Sequence, residues 1–272
     1  MRQDAPEPIN TPARGLLHEK TSFEHFELVR FAPSPELAGW VEHHWMVLHD
    51  LGERPPFRQR NLSHPNQHVV IEPGGVTGIF GAATGVFEHT IVGTGRVFAT
   101  KFLPGAFRPF FGRSVSAVTD TSLPVEAAFA RTSEELAREF AGLNDPTGMA
   151  EQMEAMLLAA LPEPDEKSGL ARRIVGFAEA NLEVVSVAAL AETFDMSVRA
   201  LQRLFDEYVG VSPKWVIDRY RMLEAVTELN AGAESGLTEL AHRLGYFDQA
   251  AFNHAFEKLT GEAPGRFVHR PG

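Results

Sequence analysis

Two short stretches of the chain carry side chains that could read the edges of nucleic-acid bases. Near position 200 these are Arg199, Gln202 and Arg203. About fifty residues later the second set consists of Gln249, Ala250, Asn253 and His254. Arginine forms paired hydrogen bonds with guanine, and glutamine or asparagine forms them with adenine. Solvated helix surfaces carry the same residue types, so the elements that hold these side chains decide the interpretation.

An internal repeat places both sets in the same structural context. The segment from Leu190 resembles the segment from Leu240, at an offset of 50 residues that becomes 51 toward the end. The matching residues are Leu190, Ala191, Phe205, Gly210 and Pro213 in the first copy and Leu240, Ala241, Phe256, Gly261 and Pro264 in the second. The chain therefore contains two copies of one unit, with a single residue inserted in the second.

Each copy reads as two helices joined by a tight turn. The first copy predicts helices over 187–194 and 198–208, with a turn at 195–196 and Ser197 as the N-cap. The corresponding elements of the second copy are a helix over 237–244, a turn at Gly245 and an N-cap at Asp248. Two helices joined so tightly form a helix-turn-helix, which offers its second helix to a DNA major groove.

The apolar periodicity of the second helix in each unit shows which side faces outward. The buried positions are Leu201, Leu204, Phe205 and Tyr208 in the first unit and Phe252, Ala255, Phe256 and Leu259 in the second. All seven base-reading candidates lie on the opposite sides, near the helix N-termini. The sequence thus predicts two DNA-reading helices. For His254 two alternatives remain, namely a contact with phosphate or no contact with DNA.

One long helix connects the two units. It begins at Ser212 and Pro213 and runs to about Asn230, which at 1.5 Å per residue gives roughly 27 Å. Successive major grooves on one face of B-DNA are about 34 Å apart. We therefore expect the units to engage one duplex in tandem. The candidate phosphate contacts are Ser197, Lys214, Arg219 and Arg221, and an ordinary solvated face is the alternative for the last three.

The charge of the chain argues against a generally basic DNA-binding surface. The 272 residues carry a net charge of -11, and residues 170–272 hold 11 Lys and Arg against 14 Asp and Glu. Any affinity for DNA must come from a local patch and should fall steeply with salt. The chain contains no cysteine, which excludes disulfides and thiolate metal sites. With no signal-peptide or membrane-span pattern, we expect a cytoplasmic protein without membrane partners.

Composition shifts divide the chain into an arm, two domains and a linker. Residues 1–24 are expected to be a loose arm, 25–161 a sensor or dimerisation domain, 162–169 a linker and 170–272 the DNA-binding domain. Short runs rich in Val, Ile, Phe and Thr between 40 and 111 predict the strands of a barrel or sandwich. Two helices are predicted over 133–141 and 146–161. The apolar stripe of the second packs on its own domain or joins two subunits.

The N-terminal domain offers an aromatic pocket rather than a metal site. A small organic effector could bind among Trp45, Phe80, Phe102 and Phe107, although each is also a candidate for plain core. Several histidines lie near this region, but a spacing of four residues interrupted by proline suits neither a strand nor a helix. Those residues are His43, His44, His64, His68 and the carboxylate Glu72. We expect no bound metal and no cofactor.

The last hundred residues resemble the DNA-binding domain of the AraC/XylS family. The most specific stretch is GLTELAHRLGYFDQAAFNHAFEKLTGEAPGRF, which is similar to that family's second helix-turn-helix and its closing Gly-x-x-Pro segment. The resemblance places the seven candidates on the family's base-reading positions. Ala250 departs from the pattern because a longer polar residue is usual there. The resemblance therefore implies thinner base readout by the second unit.

The N-terminal part resembles an uncharacterised domain that precedes the DNA-binding domain in a subset of these regulators. The segments that carry this likeness are FAPSPELAGWVEHHW and KFLPGAFRPFFG. In other members of the family this position holds a cupin-like barrel for an effector and for dimerisation. The implied fold class is α+β, with a mostly β, cupin-like N-terminal domain flanked by helices. An all-α domain with two helix-turn-helix units and a linker helix follows it.

These expectations combine into a sequence-specific transcription regulator that is not an enzyme. Its expected partners are double-stranded DNA, a small organic effector, a second copy of the chain and, for an activator, RNA polymerase. One alternative is a cupin-like metal enzyme fused to a DNA-tethering module. Another is a constitutive DNA-binding or partner-docking protein that has no ligand.

Overall fold

A computed structural model of the chain describes residues 8–9, 13–143, 145–232 and 236–268. Its N-terminal half contains eight strands, β1 to β8 in chain order. They are Glu27–Phe31, Val41–Asp50, Phe57–Leu62, His68–Ile71, Gly78–Phe80, Val86–Ile91, Thr94–Phe102 and Ser122–Leu123. A short helix, α1, precedes them at Glu19–Phe23. Valine, isoleucine, phenylalanine and threonine recur in these runs and suit a pleated, half-buried surface.

The strands form two antiparallel sheets. The larger has the order β1-β2-β7-β4-β5-β8, and the smaller pairs β3 with β6. The sheets share a cluster in which Val47 of β2 packs with Phe57 of β3 and Ile91 of β6. Because side chains alternate along a strand, His43 and Trp45 lie on the same face of β2 as Val47. The sheet-rich N-terminal half and helical C-terminal half confirm the α+β fold class.

Helices cover the other face of the large sheet. They are α2 at Arg108–Phe111, α3 at Ser133–Ala141 and α4 at Pro146–Ala159. Asp145 caps α4 by accepting a 2.7 Å hydrogen bond from the Gly148 amide. The apolar stripe of α4 is buried in the same cluster as Phe98 of β7, through Met149, Met153, Met156 and Leu157. The stripe therefore packs on its own domain, and the alternative of a subunit-joining stripe is wrong.

The C-terminal half contains seven helices in its described residues. They are α5 at Glu166–Ala180, α6 at Val187–Thr193, α7 at Val198–Tyr208, α8 at Pro213–Asn230, α9 at Leu237–Arg243, α10 at Gln249–Thr260 and α11 at Pro264–Val268. Helix α5 begins inside the segment expected to be a linker, because Asp165 caps it through the amides of Lys167 and Ser168. The exposed connection is thus shorter than its composition suggests. No helix among the described residues has the length and apolarity of a membrane span.

The two halves share one hydrophobic core. Leu17, Leu62 and Ala82 from the N-terminal half belong to the cluster formed by helices α5 to α11. Arg14 donates to Glu179 at 3.1 Å and to Glu224 at 2.7 Å. These contacts correct the expectation that residues 1–24 form a loose arm, as far as residues 13–24 are concerned. A segment in which Arg14 forms ion pairs with two helices and Leu17 is buried is not a free tail.

Arg219 fixes the linker helix α8 to the N-terminal domain. Its side chain is 2% exposed, and its Nη2 donates to the carbonyl oxygens of Ala83, Thr84 and Gly85 at 3.3, 2.7 and 3.2 Å. The guanidinium lies 4.4 Å from the ring centroid of Trp215, whose Nε1 also donates to Thr84 O. Burial lowers the pKa of Arg219 to about 10. The buried charge thus contacts carbonyl dipoles and the face of an aromatic ring.

Replacing Arg219 with Met should weaken the attachment of α8. The change keeps most of the volume but removes the Arg219 donor from Ala83 O and Gly85 O and leaves Thr84 O with Trp215 Nε1 alone, so we expect a loss of about 2–4 kcal/mol in the free energy of unfolding. Urea unfolding followed by tryptophan fluorescence measures it. Lys214→Met on the same helix is the control, because its exposed pair with Asp218 should contribute less than about 0.5 kcal/mol. Equal effects of the two variants would contradict the assignment.

Candidate nucleic-acid interface

The first helix-turn-helix unit consists of α6, a tight turn and α7. Asp195 in the turn adopts a left-handed conformation with φ 50°. Ser197 caps α7 and accepts a 3.2 Å hydrogen bond from the Ala200 amide. Leu201 and Phe205 on the inner side of α7 are fully buried. This arrangement positions the opposite side of the helix toward solvent.

The outward side of α7 carries the three predicted base-reading residues. Arg199, Gln202 and Arg203 are all exposed. Within the described residues, none of their side chains has a hydrogen-bond or ion-pair partner. Each is therefore free to contact a base edge. Their availability agrees with the predicted role, which itself stays a prediction.

The C-terminal end of α7 is held by the N-terminal domain. Arg108 donates to Glu207 at 2.9 Å, and Ser114 Oγ donates to the Asp206 carbonyl oxygen at the same distance. Farther along, Thr119 Oγ1 donates to Gly210 O at 2.6 Å. The acidic end of the helix thus faces the protein, and the N-terminal end with its free arginine side chains faces away.

The second unit consists of α9, a turn and α10. Gly245 in the turn has φ 73°, and Asp248 caps α10 by accepting a 2.7 Å hydrogen bond from the Ala251 amide. Asp195 and Gly245 occupy equivalent positions of the repeat. Both turns therefore depend on one residue in the left-handed region, where glycine is the least strained residue.

The outward side of α10 differs from that of α7. Ala250 and His254 are exposed, and no side-chain partner is found for His254 among the described residues. Gln249 is engaged, because its Oε1 accepts a 2.6 Å hydrogen bond from Thr238 Oγ1. The carbonyl oxygen of the Asn253 side chain is buried without a partner. In this conformation neither amide presents the paired donor and acceptor that adenine readout needs.

Two of the four candidate phosphate contacts are corrected by the structure. Arg219 is buried against the N-terminal domain, and Arg221 is 5% exposed, donates to Leu244 O and lies over the Tyr246 ring. Helical periodicity could not reveal this, because the surfaces that cover the two side chains come from distant segments. Ser197 and Lys214 stay exposed, the first as a helix cap and the second paired with Asp218.

The predicted aromatic pocket is also only partly compatible with the structure. Phe102 and Phe107 are fully buried, with ring centroids 4.9 Å apart, and belong to the core under the helices. Trp45 and Phe80 are half-buried on the face of the large sheet that is turned toward β3 and β6. Trp45 Nε1 donates to His68 Nδ1 at 3.2 Å. The four residues therefore do not line one pocket.

The histidines singled out in the N-terminal domain are paired with other protein groups, and His44 among them lies on the opposite face of β2 from Trp45. Burial, followed by the charge of Lys101, lowers the pKa of His68 to about 3, which keeps its ring neutral. His44 contacts Thr100 at 2.7 Å and Glu154 at 3.1 Å, while Glu72 pairs with His89. Among the residues that the structure describes, no three His, Asp or Glu side chains come together in a way that could hold a metal ion.

Among the surface clefts of the N-terminal half, two have volumes of about 460 and 610 Å³. The first is lined by Phe26, Leu28 and Arg54 among others. The second includes His49 and Arg96. Neither contains any of the four aromatic residues proposed for an effector.

Comparison with known proteins finds matches for both halves of the chain. Residues 190–270 match a family described as a helix-turn-helix domain, and residues 29–124 match a domain of unknown function. Two such units on one linker helix define a double helix-turn-helix module. The helix-turn-helix match and the activators described below agree with the resemblance to the AraC/XylS family found in the sequence.

The relatives are transcriptional activators by name. Over 106 residues the chain is 30% identical to the HTH-type transcriptional activator RhaS of Pectobacterium carotovorum subsp. carotovorum, covering 39% of this chain and 37% of that protein. Over 103 residues it is 36% identical to XylDLEGF operon transcriptional activator 3 of Pseudomonas putida, covering 36% and 30%. The match thus spans about a third of each relative's length.

Solved structures match with low scores. The C-terminal domain of the response regulator AraT from Geobacillus stearothermophilus is 26% identical, with a TM-score of 0.34 over 36% of this chain and 81% of that one. ToxT from Vibrio cholerae is 11% identical, with a TM-score of 0.40 over 83% and 96%.

The two equivalent turn positions should respond to substitution by different amounts. Gly245→Ala places a side chain at φ 73° and 2.8 Å from Val185 Cγ1, so we expect a loss of about 1–2 kcal/mol in the free energy of unfolding. Asp195→Gly relieves left-handed strain while it loosens the unfolded chain, so it should change stability by less than about 1 kcal/mol. Urea unfolding of both variants tests this. A Gly245→Ala variant as stable as the unmodified protein would contradict the strained turn.

Proposed function

We propose that this protein is a sequence-specific transcription regulator that binds two successive major grooves of one duplex through α7 and α10. The observation that carries the proposal is the repeated helix-turn-helix unit, which leaves Arg199, Gln202 and Arg203 of α7 and Ala250 and His254 of α10 exposed on the outward sides of the two second helices. The relatives' names support a role as an activator. An activator would also contact RNA polymerase, and a protein that acts on bacterial-type operators would work in the cytoplasm.

The distribution of charge supports DNA binding despite the acidic composition. Arg199 and Arg203 project from the exposed end of α7, whereas Glu207 is paired with Arg108 at the covered end. A duplex that approaches α7 from outside thus meets unpaired positive charge first. Few such charges are available, so specific contacts must supply a large part of the affinity.

The first unit is proposed to supply the hydrogen-bond readout. Arginine at 199 or 203 fits guanine, and Gln202 fits adenine. Lys214 and Ser197 are proposed to contact phosphate groups at the edges of this site. To do so, the Lys214 side chain would leave its ion pair with Asp218 and bind the DNA backbone. His254 is proposed to contact the backbone from α10.

Arg203→Ala should weaken binding of the full chain to a site selected from random DNA. Loss of a paired contact to one base should cost about 1–3 kcal/mol, which is a fivefold to 150-fold increase in Kd, and should relax preference at one position. Fluorescence anisotropy at fixed salt measures the change. The control is Arg138→Ala, an exposed arginine on α3 that pairs with Glu134. Unchanged affinity and preference in Arg203→Ala would contradict the assignment.

Salt dependence separates the two kinds of contact. A base contact leaves the slope of log K against log salt nearly unchanged when it is removed, whereas a phosphate contact lowers that slope by about 1. We expect the first behaviour for Arg203→Ala and the second for Lys214→Ala.

The proposed function also includes control by a small organic effector. The half-buried face that carries Trp45 and Phe80 between the two sheets supports it, whereas Phe102 and Phe107 belong to the core. Dimerisation, if the regulator uses it, needs a surface other than the α4 methionine stripe. A thermal-shift screen with sugars, aromatic acids and fatty acids should find a compound that raises the Tm of the unmodified protein. Its affinity should fall at least tenfold in Trp45→Phe, and an unchanged affinity there would contradict this site.

A further inference from the structure

Phe247 is an aromatic residue that the fold leaves in solvent. Its side chain is 91% exposed, the highest value among the exposed large hydrophobic residues that the structure describes. It lies in the turn of the second unit, immediately before Asp248, which caps α10. An isolated, fully exposed phenylalanine at the entrance of a recognition helix needs a physical reason.

Packing within the chain does not supply that reason. A hydrophobic residue before an N-cap often packs on the fourth residue of the helix, which here is Phe252. Phe252 is fully buried and contacts the rings of Tyr246 and Phe256, at centroid distances of 5.5 and 5.8 Å. Tyr246 therefore fills the place that Phe247 would take. The start of α10 therefore does not depend on the Phe247 side chain.

The neighbours of Phe247 extend the apolar surface onto α10. Ala250 and Ala251 in the first turn of the helix are both exposed. We call Phe247, Ala250 and Ala251 the apolar tip. The two amide side chains beside it are not free to contact a base. Gln249 accepts a hydrogen bond from Thr238, and the carbonyl oxygen of the Asn253 side chain is buried. The end of α10 that would enter a groove thus presents carbon where α7 presents guanidinium groups.

We propose that the apolar tip reads the 5-methyl groups of thymine in the major groove. This inference rests on the proposed function, and the surface is continuous with the outward face of the second recognition helix. Thymine carries an apolar group at the major-groove edge, and alanine and phenylalanine are among the side chains that contact it. The target site therefore has two chemically different halves. The half under α7 is recognised by hydrogen bonds, and the half under α10 is recognised through thymine methyl groups.

The test replaces thymidine by deoxyuridine, which removes the methyl group and keeps base pairing. A DNA site is first selected from random sequence with the full chain, and each half is then substituted separately. Removing one buried methyl group should raise Kd about fourfold, the transfer value for a group of that size. Substitution in the α10 half should have this effect at one or more positions. Substitution in the α7 half should change Kd less than twofold.

The variant Phe247→Ala connects the methyl effect to this residue. It should bind the thymine site several-fold more weakly, and its Kd should no longer respond to deoxyuridine at the position that Phe247 contacts. Because the Phe247 side chain is 91% exposed in the part of the chain that the structure describes, the variant should unfold at the same urea concentration as the unmodified protein. Phe23→Ala is the matched control, since Phe23 is an exposed phenylalanine on α1 in the other half of the chain. It should keep both the affinity and the methyl response.

Three results would overturn the inference. Deoxyuridine in the α10 half could leave Kd unchanged, or Phe247→Ala could retain the full methyl response. Phe247→Ala could also bind DNA normally yet fail to activate transcription, which would assign the tip to RNA polymerase. Failure of the proposed function looks different, because the unmodified chain would then select no DNA sequence at all.

Discussion

The buried guanidinium of Arg219 is the contact on which the arrangement of the DNA-binding domain depends. The Arg219 side chain is 2% exposed, and its Nη2 donates to three consecutive carbonyl groups, so a displacement would break these hydrogen bonds in the interior. Helix α8 is thereby held against the loop between β5 and β6. Both helix-turn-helix units are attached to the ends of this helix, so its position constrains each of them.

Further contacts extend this constraint to both units. Arg108 and Ser114 hold the acidic end of α7, and Arg60 Nη2 donates to Thr260 O at the end of α10 at 2.6 Å. The N-terminal domain thus touches the rear of each reading helix and leaves its outward side open. The relative orientation of the two helices is consequently a property of the whole interface and not of α8 alone. A change within the N-terminal domain could therefore alter how well both helices fit one duplex.

The two helix-turn-helix units have the same backbone arrangement but differ in the side chains that they expose. Equivalent turns and caps build both, but α7 exposes free polar side chains, whereas α10 exposes Phe247 and Ala250 beside an engaged Gln249. One fold repeated in a chain can in this way recognise two unlike halves of a site. The proposed DNA binding is compatible with a net charge of -11, because the two outward helix sides would depend on local contacts rather than on overall charge.

The sequence by itself determined the repeat, the helix starts at Ser197 and Asp248, and the outward position of Arg203. These features are local, because a cap or an apolar period acts within a few residues of its own position. Tertiary structure alone decided that Arg219 is an interdomain contact and that Phe102 is core. Periodicity shows that a side chain leaves the buried stripe of its own element, but it cannot show which distant segment covers that side chain. Burial between domains depends on surfaces far apart in the chain, and no local pattern records it.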